Sequence, residues 1–330
     1  MKQSELNNLL VFHSNKLKDF KPSKAVHYCN IDTFNKIIAP FVEGKKMKRY
    51  DGKLFSAYEA KYVCFFATDI NYLNDREEYN IGKAQVKRVA GPFLKENIEE
   101  IFVACFCDST DNLTQWKYYG KETGLAVEFD TEDVVLNYCD KCTCINGTKE
   151  PVEYPLRHDI SFMPFEVFYT PRIKDSSEDE LNEAELRIRK MLPKGKELNS
   201  ITKQTAKLSI IPYIKHKAFE DENESRITLY HSEHCNVRCS STKYRSSTVI
   251  KPYLDIRMFY GNPKAEKYIP IKSVTVGPSA NQDLFVRSIF HALEEDYAER
   301  EKNIDKEIEN GFVETTGGII IRKSSIPFRS

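Results

Sequence analysis

The stretch Lys215–Tyr230, KHKAFEDENESRITLY, decides how the rest of the chain is read. Its charges alternate into an apolar run, the pattern of a strand entering a sheet from a polar end. Successive side chains of a strand point to opposite faces, so Glu222, Glu224 and Arg226 would share one face while Asn223, Ser225 and Ile227 take the other. Two carboxylates and a guanidinium on one face of a cleft can bind a sugar's hydroxyls, stabilise a cationic transition state and shift one another's pKa values. The plainer alternative is a solvated sheet face with weak ion pairs.

At 330 residues the chain can bury a sizeable core, as one large domain or two ordinary ones. Forty-nine basic residues balance forty-nine acidic ones, so no overall field makes nucleic acid or a membrane an obligatory partner. The N-terminus, MKQSELNNLLVFHSNKLKDF, holds no apolar run of signal-peptide character, and no run of about eighteen apolar residues occurs in the chain. The expected location is therefore the cytoplasm. Nine cysteines, an odd number in a large chain without such a signal, fit reduced thiols better than a disulfide framework.

Working outward, Leu6, Leu9, Leu10, Phe12 and Leu17 behind Ser4 predict a short amphipathic helix, an accessory segment within residues 1–22. A strand follows at Ala25–Tyr28, then a cap at Asn30 or Asp32 and a helix that shows Phe34, Ile37 and Ile38 to the core. His27 and Tyr28 end that strand, where a histidine can donate to a ribose hydroxyl and a tyrosine can supply a stacking face, although such a histidine is more often structural. After the basic segment Lys45–Lys53, Tyr62–Thr68 reads as a strand, and Asn74 or Asp75 can cap the next helix, with Glu77 and Glu78 read as first-turn capping acids. Residues 101–129 read as strand, short helix and strand, with Trp116 in the core and Tyr118 and Tyr119 beside it. Ser177 and Glu180 form a capping box that opens a helical insertion over residues 175–210. The last third predicts two strands, a helix from about Gln282 to Lys302 and a final strand.

Cys139, Cys142 and Cys144, with His231, His234, Cys235 and Cys239, contain enough soft ligands for zinc, but their irregular spacing argues against a closed site, and no metal is expected. No phosphate-binding glycine loop of the P-loop or dinucleotide type occurs. The fold class expected is α+β: a single domain, 1–330, with a twisted, mostly antiparallel sheet flanked by helices, a split in that sheet being left open.

The order of HYCN at 27–30, the LND-x-E box at Leu73–Glu77, CFCD leading into QWKYYGKETGLAVEFD at 105–130, KHKAFEDENESRI at 215–227, VGP at 276–278 and SSIPFR at the end resembles the domain of unknown function numbered 2971, widespread in bacteria and present in phage-defence neighbourhoods. That family usually has Trp where Phe219 stands and another aromatic where Ser225 stands. Its layout in turn resembles a divergent ADP-ribosyltransferase fold, though no Ser-Thr-Ser box is present and the LND-x-E loop takes its place. The resemblance implies NAD as substrate, cleaved between nicotinamide and ribose, with ADP-ribose passed to a protein or nucleic-acid acceptor, or to water. It implies a toxin or antiviral effector, with a neutralising or sensor partner protein. His27 would hold the adenosine-side ribose, Tyr28 or a tyrosine of the Tyr118–Tyr119 pair would wall the nicotinamide, and Asn74 in the LND-x-E loop would contact the cofactor. Glu224 would be the leading catalytic carboxylate, Glu222 would take a proton from the acceptor, and Arg226 would contact a phosphate or pair with Glu224. On this reading Glu224 is a solvated group at the sheet's open end, on which the fold does not depend. Two other classes stay open: a nucleic-acid-binding or sensor module using Lys45, Lys46, Lys48 and Arg49, and a metal-dependent nuclease.

Overall fold

The structure is a computed structural model that describes residues 20–50, 57–73, 76–93, 100–120, 124–137, 159–192, 200–231, 242–246, 250–262 and 268–327. The zinc-type cysteines 139, 142, 144, 235 and 239, with His234, the proposed N-terminal helix, and Asn74 and Asp75 all lie outside the described residues.

The central strands are mostly apolar runs buried on both faces. Strand β1, Ala25–Asn30, ends where the Asn30 side chain accepts the Thr33 amide at 2.9 Å and caps helix α1, Ile31–Val42, whose Phe34, Ile37, Ile38 and Phe41 are buried. Strand β2, Val63–Asp69, buries every second residue, and β3, Glu100–Cys107, is the long apolar run that the sequence predicts. Helix α2, Arg76–Ala90, lies between them in the chain. Strand β4, Gly124–Phe129, is buried on both faces. Helices α3, Glu178–Met191, and α4, Ser200–Ile210, form the insertion, and the Ser177–Glu180 capping box opens α3. Strands β5, Glu224–His231, β6, Ile250–Tyr260, and β7, Ile271–Val276, helix α5, Gln282–Leu293, and strand β8, Ile320–Lys323, complete the frame. The last predicted helix is shorter than expected. It stops at Leu293, and a separate turn of helix follows at Tyr297–Arg300.

Among the described residues these strands belong to one 13-stranded sheet, whose path runs Phe312–Glu314, β8, β7, β4, β1, β3, β2, β6, Val134–Asn137, Asp159–Ser161. Its pairs are antiparallel except β7 with β8. The sheet forks at β3. Strand β5 follows one edge of β3 from Cys107 to Glu100, while the other edge is shared: β2 pairs at Phe102 and Val103, and β1 at Cys107. A strand has two edges only, so β1 and β2 must diverge there.

One face of the sheet packs against α1 and α5 around a cluster in which Phe65, Phe106, Phe129 and Phe162 meet at 5.4–6.4 Å between ring centroids. On the other face, Ile101 and Val103 share an apolar cluster with α2, α3 and α4. The insertion therefore packs with α2 as well as with the sheet. No helix among the described residues is long and apolar enough to cross a membrane.

Close approach of α2 to the turn Ile211–Tyr213 depends on Gly82. A Cβ there would lie 2.6 Å from the Ile211 carbonyl oxygen and 3.0 Å from its Cγ2. Gly82→Ala is expected to cost about 1–3 kcal/mol by overpacking, more than the helix propensity it gains. A urea titration checks this; a midpoint that stays or rises would show that the contact is not tight.

Candidate active-site cleft

A cavity of about 750 Å³ opens at the fork. Strand β1 contributes His27 and Tyr28 to its wall, β2 contributes Thr68, and β3 contributes Cys105, Phe106 and Cys107. The stretch that opened the sequence reading forms its floor.

Local geometry there is set by three short elements. Residues Ile214–His216 pair in parallel with Phe168–Thr170 and place Lys215 beside Tyr169. A 3-10 turn, Lys217–Glu222, follows, in which the Ala218 amide donates to His216 Nδ1 at 3.1 Å. Asn223 ends the turn at φ 44°, a left-handed conformation that asparagine tolerates better than most residues. Strand β5 begins only at Glu224. The expected ladder of three residues on one strand face is thus corrected: Glu224 and Arg226 share a face, while Glu222 reaches the same place from the turn.

Glu224 is also not solvated. Its carboxylate is 7 % exposed and Arg226 is 2 % exposed, the largest fully buried side chain described. Arg226 grips Glu224 with two bonds, Nε to Oε1 at 2.7 Å and Nη2 to Oε2 at 2.8 Å. It also donates to Glu78 Oε2 at 2.6 Å and to the Pro212 carbonyl at 2.7 Å. Lys215 Nζ donates to Glu222 Oε2 at 2.8 Å and to Glu224 Oε2 at 2.9 Å, and forms an ion pair with Glu78 Oε1 at 3.1 Å. Charge pairs of this kind persist under burial only when each donor and acceptor is matched, because removal from water costs several kcal/mol per ion.

The carboxylates of this group therefore differ. Burial pushes the Glu224 carboxyl up, but Arg226 and Lys215 outweigh it and hold the group down to about 2. At Glu222 burial prevails over the Lys215 hydrogen bond, and the carboxyl is raised above its ordinary value. The Lys215 ammonium is opposed by burial, yet Glu224 and Glu78 hold it above the usual lysine range. Glu222 Oε1 has no described hydrogen-bond partner, and the residue is partly open to the cleft.

Aromatic residues form the opposite rim. Asn112 accepts the Thr114 amide at 2.8 Å and starts the short helix Leu113–Gln115, which runs into a π-helical turn, Trp116–Gly120. Such turns recur at functional sites because they re-aim side chains out of helical register. Trp116 is core, as expected: it is 5 % exposed, meets Tyr28 edge-on at 4.6 Å and donates to Asp111 Oδ1 at 2.8 Å. Tyr118 and Tyr119 project as exposed lining of the cleft, as does Tyr72. Gln115 Nε2 donates to the Glu222 carbonyl at 3.3 Å and links this rim to the carboxylate turn.

The structure therefore brings His27, Tyr28, Tyr119, Glu222, Glu224 and Arg226 to one cavity. For Tyr28 and Arg226 the geometry selects between the expected alternatives. Tyr28 is buried and its hydroxyl is committed, donating to the Ser109 carbonyl and accepting the Asn112 amide, so it supports the wall rather than stacking on a ligand. Arg226 takes the second of its two expected roles, pairing with Glu224, and its remaining donors go to Glu78 and Pro212 rather than to a phosphate. His27 Nδ1 lies 3.1 Å from the Cys105 carbonyl, which can only accept, so Nδ1 carries the proton. Lys215 and Glu78 were not singled out as site residues. Glu77, read with Glu78 as a capping acid, is exposed and pairs with Arg172, whereas Glu78 turns inward. The spacing Glu78, Ile81, Gln85 was the available signal, since it puts a carboxylate on the buried face of a helix, where a cation must meet it.

Residues 115–227 match the model of a family described as a protein of unknown function (DUF2971). That span includes the aromatic turn and the carboxylate floor, while HYCN, LND-x-E, VGP and SSIPFR fall outside it. No curated protein and no solved structure matches the chain.

Replacing Glu224 by Gln leaves Arg226 and Lys215 short of a buried counter-charge, and breaking such a group typically costs about 3–5 kcal/mol. A clear fall in Tm is expected, whereas an unchanged Tm would contradict a structural role. Because the folded Glu224 carboxyl is depressed, its stabilising contribution is complete above the ordinary carboxylate value and is lost as pH falls from there through about 2. Glu222 works in the opposite sense, favouring the fold when protonated and losing that contribution as pH rises through its elevated value. Urea midpoints measured across the acid range should show the Glu224 loss in the parent and not in the Gln variant.

Proposed function

We propose that the cleft binds NAD as a substrate and breaks its nicotinamide–ribose bond, passing the ADP-ribosyl group to a macromolecular acceptor or to water. What carries this reading is the partly open carboxylate of Glu222, held by Lys215 at the edge of an aromatic rim. When the bond breaks, its electron pair leaves with nicotinamide and the ribose gains positive charge. A fixed carboxylate stabilises that charge more than it stabilises bound NAD, which is the condition for catalysis. The incoming hydroxyl or water then forms the new bond to the ribose and gives up a proton, for which a carboxylate of raised pKa is a suited acceptor.

Both roles expected of the two glutamates then fall to Glu222. Glu222 acts on the ribose, and Glu224, with both oxygens bonded to Arg226 and Lys215, holds the floor in place. Tyr118 and Tyr119 flank the heterocycle, and His27 on the opposite wall serves the ribose hydroxyls. A divalent metal is a poorer occupant, because Glu78, Glu222 and Glu224 already face two buried cations. The basic segment offers less to nucleic acid than its composition suggests, since Lys45 pairs with Glu43 and Lys46 with Glu59.

Nicotinamide release from labelled NAD tests the proposal. Glu222→Gln should lower kcat about a hundredfold, the usual loss for one charge-assisted transition-state contact, with little change in Tm. Turnover at the parental rate in that variant, or no release by the parent protein, would overturn it.

A further inference from the structure

The charged groups around the cleft are not distributed as an anion site would be. Four carboxylates line it, Glu78, Asp221, Glu222 and Glu224, against two permanently charged cations, Lys215 and Arg226. Lys215 is engaged by three carboxylates, and Arg226 is buried with its bonds turned to Glu224, Glu78 and Pro212. Among the described lining residues, no lysine or arginine is left to meet a phosphate. The two acids nearest the opening are differently placed. Asp221 is exposed, with no described partner for its carboxylate, and Glu222 keeps one oxygen free of described donors.

Aromatic faces complete the pattern. Tyr118 is 63 % exposed, and Tyr72 and Tyr119 are also open, all three on the cleft. Phe219 already holds a cation, with Lys215 Nζ 4.9 Å from its ring centroid. Ring faces are negative at their centres, and beside open carboxylates they attract an organic cation while an anion is repelled.

We propose that the cleft recognises its ligand as an organic cation, a flat N-alkylated heterocycle held between the tyrosine rim and the carboxylates of Asp221 and Glu222. This rests on the NAD reading for the identity of the heterocycle, a pyridinium, and adds that the pyridinium charge is what is recognised while the diphosphate contributes little. Cleavage then has a built-in exit. Once the glycosidic bond breaks, nicotinamide is neutral and loses the attraction that held it.

Calorimetric titration of the full chain with three probes tests this: 1-methylnicotinamide, a cation without a glycosidic bond; nicotinamide, its neutral counterpart; and ADP-ribose, the anionic remainder. The cation should bind at least about tenfold more tightly than nicotinamide and more tightly than ADP-ribose, consistent with the range for desolvated cation–aromatic and ion contacts. Asp221→Asn, at an exposed position with no packing role, should reduce the preference about threefold, and added salt should weaken the cation alone. Equal binding of cation and neutral probe, ADP-ribose binding as tightly as the cation, or no binding of any probe would overturn the inference. The two proposals separate cleanly. Preference for the cation without nicotinamide release from NAD leaves the cation site standing and removes the NAD reading; release from NAD with ADP-ribose as the tightest probe does the reverse.

Discussion

The buried contact between Arg226 and the carboxylates of Glu224 and Glu78 is the constraint around which the other elements are arranged. Strand β5 supplies Glu224 and Arg226, α2 supplies Glu78, and the segment before the 3-10 turn supplies Lys215. Ions in a low-dielectric interior are costly to desolvate, so none of these elements can shift without leaving a charge unmatched. That requirement explains why α2 approaches the Ile211–Tyr213 turn closely enough to need Gly82, and why the Pro212 carbonyl faces Arg226 rather than water. The apolar clusters on either face of the sheet supply the bulk of the burial; the ion group sets the register in which the floor elements meet.

A second set of bonds ties the aromatic rim to the frame. Asp111 accepts from Trp116 Nε1, from the hydroxyls of Ser324 and Ser325 and from the Ser325 amide. Burial alone would raise its carboxyl, but these donors outweigh it and hold the group below its ordinary value. The chain end after β8 is thereby fastened to the turn that carries Tyr118 and Tyr119. Trp116 has no room to yield on its far side, because Gly277 leaves only enough space for hydrogen where a Cβ would stand 2.9 Å from the indole. Rim and floor are then joined through Gln115 and the Glu222 carbonyl, so the open carboxylate is positioned from both sides.

Much of this frame could be read before the structure. Periodicity, apolar runs and caps located β1 with α1, β2, β3, β4, the insertion and α5: β2 alternates and the helices bury one face, while β3 and β4 are continuous apolar runs. The residues His27, Tyr119, Glu222, Glu224 and Arg226 could also be grouped, because strand ends and charged strand entrances are where a sheet presents chemistry. What could not be read was depth. A two-residue spacing says that Glu224 and Arg226 share a face, not whether that face meets water or Glu78 from a helix almost 150 positions earlier in the chain. Lys215 was lost for the same reason: in sequence it is one more charge in a charged run, and only the parallel pairing with Phe168–Thr170 brings it to three carboxylates. The left-handed Asn223 was a further hidden step, since it takes Glu222 out of the strand and so out of the buried pair.

That step has an electrostatic consequence. Three carboxylates around two cations leave an excess of one negative charge, and a buried excess charge is relieved most cheaply at the site nearest water. Glu224 lies between Arg226 and Lys215 and remains ionised at the bottom of the group. Glu222, bonded to Lys215 alone and open on its other oxygen, has its carboxyl raised first by burial, and the neighbouring charges of Glu224 and Glu78 add to that. The same imbalance that would destabilise a closed ion group here produces a carboxylate that faces the cleft, accepts a proton readily and attracts positive charge. A buried and a partly open glutamate two positions apart thus acquire opposite shifts around one shared lysine, with the turn at Asn223 as the device that separates them.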